Sequence, residues 1–391
     1  MSKRAGLPWF EPYIGPFLAR QDWAQLALGL VGAATVPAAV VDVEVLRAER
    51  PGLASVVVEA SEKVLHLVLG WRGLEIAPGM LGARLGAVLG PGSDAEGEVL
   101  IYDALADEAL VRELLVAATD GQEHARRCRL VRSLVSHAAV VYDERLFMKC
   151  YRVIEPGPRP EIETLARLAE VGFVHLLAPI GHWSRNGRDL GLVREFLPGA
   201  VEGKALAATS LRDLLARAGA ANGSATFEDV GLAGGDLGAE MRRLGEVTAK
   251  MHLALAEAFG RSSSGGIRLH GDYHLRRVMR ADGGWIVTGF GDDPLLSGQA
   301  GSPSTAPVAM ASPLVDLADL CYSMHQVAEE AVRLRTPATR AHSVVLAEGW
   351  ERRNRRQLLR GYLEVDGIGE LVPGVLEKLD ASLTQLVGDR S

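Results

Sequence analysis

The chain has 391 residues, of which 48% are hydrophobic and 23% charged, and a formal net charge of −7. That length exceeds one ordinary core at about 150 residues per domain and predicts two or three packed units. The balance is that of a soluble globular protein with no global basic field, which argues against nucleic acid as a partner. Cys128, Cys150 and Cys321 are an odd number, widely spaced and without a CxxC pair. They fit neither a disulfide framework nor a structural zinc site and suit a reducing cytoplasm.

The first segment, MSKRAGLPWFEPYIGPFLARQDW, has a short basic start but then Trp, Glu, Pro and Gly in place of a continuous apolar run, so it does not read as a signal peptide. LALGLVGAATVPAAVV is apolar but broken by glycines and Pro37, too interrupted for a membrane span. Residues 1–120 then carry β-branched runs, VPAAVVDVEVL, ASVVVEA and VLHLVLGW, followed by a helical pattern in EALVRELLVAATDG. A second strand-rich section, 121–200, opens with RLVRSLVSHAAVVYDERLFMKCYR, which reads as a hairpin with Asp143 and Glu144 at the turn. A helix follows at PEIETLARLAEVG, with Pro160 suited to its first turn and Gly172 to its end. From 201 to 391 the pattern is mostly helical, in SLRDLLARAG, EMRRLGEVTAKMHLALAEAFG, SPLVDLADLCYSMHQVAEEAV and SVVLAEGWERRNRRQLLRGYLEV.

Four motifs occur in a fixed order: Lys149 on a strand before Glu163 on a helix, LGLVREFLPG around Glu195 and Leu197, HGDYHL around Asp272, and SPLVDLADLC around Asp316. In this order the chain resembles the bacterial maltokinases and the closely similar glucosamine kinases, most firmly over residues 126–363. The resemblance implies an α+β, protein-kinase-like bilobal fold: an N-terminal cap over 1–120, a strand-rich small lobe over 121–200 and a helical large lobe over 201–391. It implies ATP as cofactor, with Lys149 on the α- and β-phosphates, Glu163 holding the Lys149 ammonium, and Glu195 to Leu197 as the adenine-side hinge. Asp272 falls at the catalytic base, His270 and His274 support its loop, and Asp316 braces that loop from the following helix. Either histidine also suits a purely structural role, and a first-turn aspartate is favoured by the helix dipole alone. Trp350 falls on the helix that lines the acceptor pocket, where an aromatic stacks on a sugar face or simply fills a core.

Three features depart from the family pattern. The phosphate loop reads RSLVSHAAVVY and keeps Ser136 but offers His137, Ala138 and Ala139 where polar groups are expected. The first metal-binding position is Arg277, which has no acceptor atom. The second, at the start of a DFG-like turn, is Gly289, which has no side chain. Together these argue against a bound magnesium ion. Asp292 and Asp293, just beyond, suit the ammonium group of an amino sugar, which favours glucosamine over maltose as the acceptor; they are also candidate ion-pair partners of Arg277, or plain turn residues before Pro294. Two readings follow. One is an impaired member that binds nucleotide, sugar or a protein partner, with Arg277 supplying the missing positive charge or closing a dead site. The other is an active ATP-dependent amino-sugar kinase with a rearranged metal site. Neither needs nucleic acid or a membrane.

Overall fold

The computed structural model describes residues 8–30, 32, 34–75, 85–155, 157, 159–220, 236–290 and 310–374. The chain divides into two compact units: one runs to Ile162 and takes in Pro179–Pro198, and the other holds Glu163–Ala178 and the helical remainder from Gly199. The section distinguished by pattern at 1–120 therefore shares one unit with 121–162 and 179–198, while 163–178 falls in the other. Within the first unit, 1–120 and 121–162 are stitched together where β9 (Val153–Ile154) adds to β3 (Lys63–Gly73), pairing Val64 with Ile154.

In the first unit, β1 (Ala38–Arg47), β2 (Gly52–Ala60), β3, β5 (Gly97–Asp103) and β4 (Val88–Asp94) form an antiparallel sheet in that spatial order. Alternation decides its faces. Ala54, Val56, Val58 and Ala60 of β2, with Leu65, Leu67, Leu69 and Trp71 of β3, pack with Phe10, Ile14, Phe17, Leu18 and Trp23. Those partners belong to a short 3₁₀ turn and to two N-terminal helices, α1 (Glu11–Ala19) and α2 (Asp22–Leu28). The opposite face meets α3 (Glu108–Ala118): a methyl group on Gly70 would stand 2.4 Å from Leu110. A second antiparallel sheet has the order β10 (Pro179–Arg185), β11 (Arg188–Glu195), β8 (Leu146–Tyr151), β7 (His137–Tyr142), β6 (Cys128–Ser133). Asp143 and Glu144, both at positive φ, turn β7 into β8.

The second unit is built from α5 (Gly203–Ala220), α6 (Gly238–Phe259), α7 (Leu314–Arg333), α8 (Pro337–Leu363) and the single turn α9 (Ile368–Leu371). Small strands β12 (Val201–Glu202), β14 (Val278–Ala281) and β15 (Gly284–Val287) make one sheet, and β13 (Ile267–Arg268) pairs with β16 (Met310–Ala311). The loop between β13 and β14 carries Asp272. Helix α4 (Pro160–Glu170) contains the boundary between the units. No helix of the described residues is long and apolar enough to cross a membrane.

Two glycines set the spacing of α6 and α8. A methyl group on Gly245 would stand 2.0 Å from the Leu358 carbonyl oxygen, and one on Gly361 would stand 1.9 Å from that of Arg242. The backbones touch where neither helix has a side chain, so any larger residue must push the helices apart. Gly361→Val is expected to cost at least about 1–3 kcal/mol through overpacking. The denaturation midpoint should fall accordingly in urea, and an unchanged midpoint would contradict this contact.

Candidate functional site

In the first unit, Lys149 sits on β8 with Ala139 of β7 directly opposite. Its ammonium donates to Glu161 Oε1 at 2.7 Å, and the two side chains are only 8% and 6% exposed. The Tyr151 hydroxyl donates to the other oxygen of Glu161 at 3.3 Å. This corrects the partner expected from the sequence: Glu163 instead accepts from Arg268 at 2.8 Å and is half exposed. The reason is helical phase. Glu161, Thr164, Leu165 and Leu168 share the buried stripe of α4, whereas Glu163 falls with exposed Arg167 and Glu170.

Other expected nucleotide contacts lie in the same unit. Ser136 is buried, its hydroxyl 3.0 Å from His137 Nδ1, while its carbonyl accepts from Arg152 N at 2.7 Å. Its polar groups are thus engaged within the fold. Glu195 ends β11 opposite Leu146, and the backbone N–H of Phe196 donates to the Arg145 carbonyl at 2.8 Å. Glu195 and Leu197 thus come just before the chain leaves this unit at Pro198.

In the second unit, the loop after β13 is held from below. Asp316, fully buried in the first turn of α7, accepts the backbone N–H of His270 at 2.8 Å and of Gly271 at 3.1 Å. Burial pushes the Asp316 carboxyl up, but His252, whose Nε2 lies 3.4 Å away, and the backbone donors outweigh it and hold it below the usual carboxylate range. His252 reaches the Tyr362 hydroxyl at 2.9 Å through Nδ1. The His270 ring is fully buried with Nε2 at 3.0 Å from the Thr288 carbonyl, and burial lowers its pKa to about 4. It is therefore a neutral imidazole donating to Thr288, and its Nδ1 accepts from Asp272 N at 3.4 Å. His274 caps the Leu275–Arg277 turn by accepting from Arg276 N.

That turn folds Arg277 back onto Asp272. Arg277 donates to Asp272 Oδ2 from Nε at 3.0 Å and from Nη2 at 2.5 Å, while His274 Nε2 stands 3.4 Å from Oδ1. Burial pushes the Asp272 carboxyl up, but contacts with His274 and Arg277 more than offset this and keep it below the ordinary carboxylate range. Gly289, at φ +78°, lies against the same guanidinium: a Cβ there would stand 2.9 Å from Arg277 Nη1 and 3.0 Å from its Cδ. Arg277 thus fills the space that a side chain at position 289 would enter. Asp292 and Asp293, considered as partners of Arg277 or of an acceptor sugar, lie outside the described residues.

Trp350 does not present a face for a sugar. It is 3% exposed, and its indole N–H donates to Ser210 Oγ at 3.0 Å, joining α8 to α5. The stacking role expected from the sequence is replaced by a core role, because Trp350, Asn354 and Leu358 recur every four residues on the buried side of α8.

No protein-family model matches the chain. Among solved structures it is similar to a glucosamine kinase in complex with glucosamine, ADP and inorganic phosphate, with a TM-score of 0.54 and 20% identity over 94% of this chain and 89% of that one. Crystal form B of a glucosamine kinase matches with a TM-score of 0.54 and 19% identity, again over 94% of this chain and 89% of the other. The chain has a protein-kinase-like α+β fold. Likeness at this identity carries the architecture; chemistry has to come from the side chains.

Within that fold, magnesium would be the expected partner of the phosphates. Magnesium takes oxygen ligands in near-octahedral geometry. Arg277 offers only donors and a fixed positive charge, and Gly289 offers no side-chain oxygen, so these two residues do not fit a divalent cation. The Lys149 pair, by contrast, is intact and buried.

Glu161→Ala should remove a buried counter-charge from beside Lys149 and cost about 3–5 kcal/mol. Glu163→Ala, which removes the half-exposed member of its pair with Arg268, should cost less than Glu161→Ala. Urea unfolding of both variants checks the assignment, and equal losses would contradict it.

Proposed function

We propose that this chain is a sugar-kinase-fold protein that retains nucleotide or amino-sugar binding but transfers phosphate poorly or not at all. The observation that carries this reading is the placement of Arg277, on Asp272 and over Gly289 at once. A general base must take up a proton as the acceptor hydroxyl attacks, and its usefulness falls as its pKa is driven down. His274 and Arg277 together do this to Asp272, and the Arg277 guanidinium also occupies the ground on which a metal-binding carboxylate would stand. One guanidinium therefore adds to the weakening of the base and excludes the metal.

Nucleotide binding is supported by Lys149, buried and held by Glu161, which can place a positive charge against phosphate oxygens. The resemblance in architecture to a glucosamine kinase crystallised with glucosamine and ADP supports the amino-sugar and nucleotide classes of ligand. Glucosamine is favoured over maltose because Asp292 and Asp293 follow the turn at Gly289 and suit an ammonium group. ATP is expected to bind without magnesium, since Arg277 already adds a fixed cation to that loop.

The test combines binding and turnover. ATP in EDTA should raise the melting temperature of the natural chain, and absence of any shift in both EDTA and magnesium would remove the nucleotide-binding half of the proposal. Phosphorylation of glucosamine by the natural chain should match that of Asp272→Asn. Activity that requires Asp272 would overturn the impairment. Arg277→Gln combined with Gly289→Asp should gain magnesium-dependent transfer. Gly289→Asp alone should be less stable than in the Arg277→Gln background by about 1–3 kcal/mol, because only there is the space free.

A further inference from the structure

A cavity of about 490 Å³ lies wholly within the first unit, its wall including Gln21, Asp103, Glu108, Cys128, Val140 and Arg152. Its size falls in the range of roughly 300–1,000 Å³ usual for small-molecule sites. Strand alternation puts it on the far side of the second sheet from Lys149. Lys149 pairs with Ala139 and Val140 with Met148, so Val140, which lines the cavity, points away from the face that Lys149 occupies.

Arg152 is the unusual member of this wall. Its side chain belongs to a residue only 6% exposed, and its guanidinium lies 4.5 Å over the Trp23 ring. Among the described residues it makes one long hydrogen bond, Nη1 to the Leu134 carbonyl at 3.4 Å, and no ion pair. A guanidinium has five N–H donors, and a buried cation left so poorly matched is costly unless something else meets it. Asp103 shares the wall without touching Arg152. One of its oxygens accepts Leu105 N at 3.0 Å. Burial pulls the Arg152 pKa down and pushes that of Asp103 up, so both groups would gain from a ligand that bonds them. A bare anion would satisfy Arg152 but would face the carboxyl groups of Asp103 and Glu108. Hydroxyl donors on the same ligand would resolve that conflict.

We propose that this cavity binds a small polyhydroxylated anion, with its phosphate or carboxylate group on Arg152 and its hydroxyl groups on Asp103. The site is distinct from the Lys149 face and so gives the first unit a ligand of its own.

The wall also holds its own reporter. Cys128 lines the cavity, whereas Cys150 and Cys321 are buried. Burial raises the Cys128 thiol pKa to about 11, so alkylation is slow and best followed at alkaline pH. The full chain would be titrated calorimetrically with inorganic phosphate, glucose 6-phosphate and gluconate, and the rate of Cys128 alkylation measured with each. Glucose 6-phosphate or gluconate should bind more tightly than inorganic phosphate and slow alkylation, inorganic phosphate binding as well as either would overturn the role of the hydroxyl groups, and Arg152→Met should weaken the binding by about tenfold or more while the chain stays folded, since methionine keeps the packing on Trp23 and removes a buried charge. Binding of the phosphate compounds without gluconate assigns a phosphate site, and the reverse a carboxylate site. Should Arg152→Met fail to fold, protection of Cys128 in the natural chain decides alone. No binding by any probe, binding that leaves Cys128 alkylation unchanged, or undiminished affinity in a folded Arg152→Met chain would overturn the proposal.

Discussion

A guanidinium cannot lose its charge at any physiological pH and cannot accept an electron pair. In this chain one such group, that of Arg277, rests on the carboxylate of Asp272 with two donors. The chemistry available to the second unit depends on that pair. The loop around it is firmly built: a buried Asp316 holds two successive backbone N–H groups, a neutral His270 ties the loop to Thr288, and Thr248 and Tyr273 bond behind it at 2.8 Å. The loop that carries Asp272 is thus held by several buried hydrogen bonds, while the Asp272 carboxylate itself is paired with an adjacent cation.

Gly289 belongs to the same event. Its positive φ would tolerate an aspartate better than most side chains, but the Arg277 side chain already occupies the approach to its Cβ. The two departures from the kinase pattern are therefore one packing solution: a large cation at 277 requires no side chain at 289. A side chain introduced at position 289 would therefore have to displace the Arg277 side chain.

The overall architecture was legible in the sequence because it rests on periodicity and turn chemistry. The β7–β8 hairpin, the α4 helix between Pro160 and Gly172, and the long helices from α5 to α8 all follow from spacing that packing did not override. The N-terminal helices α1 and α2 were not legible, since Pro12, Gly15 and Pro16 interrupt the helical signal and the segment is stabilised by covering a sheet. Glu161 was missed in favour of Glu163 although the signal was present: the apolar stripe of α4 runs through 161, 165 and 168. Trp350 was readable as core from its spacing with Leu358. The contact of Arg277 with Asp272 could not be read, because a short 3₁₀ turn at Leu275–Arg277 brings together residues that an extended loop would keep apart.

The two faces of the first unit's second sheet carry different chemistry, a matched Lys149–Glu161 pair on one side and an under-bonded Arg152 on the other. The central claim remains the capture of Asp272 by Arg277, and it is tested most directly by a double-mutant cycle. Asp272→Asn, Arg277→Gln and the double variant would be unfolded in denaturant beside the natural chain. The structure predicts a coupling energy of about 1–3 kcal/mol, and single effects that add to within about 0.5 kcal/mol would contradict it.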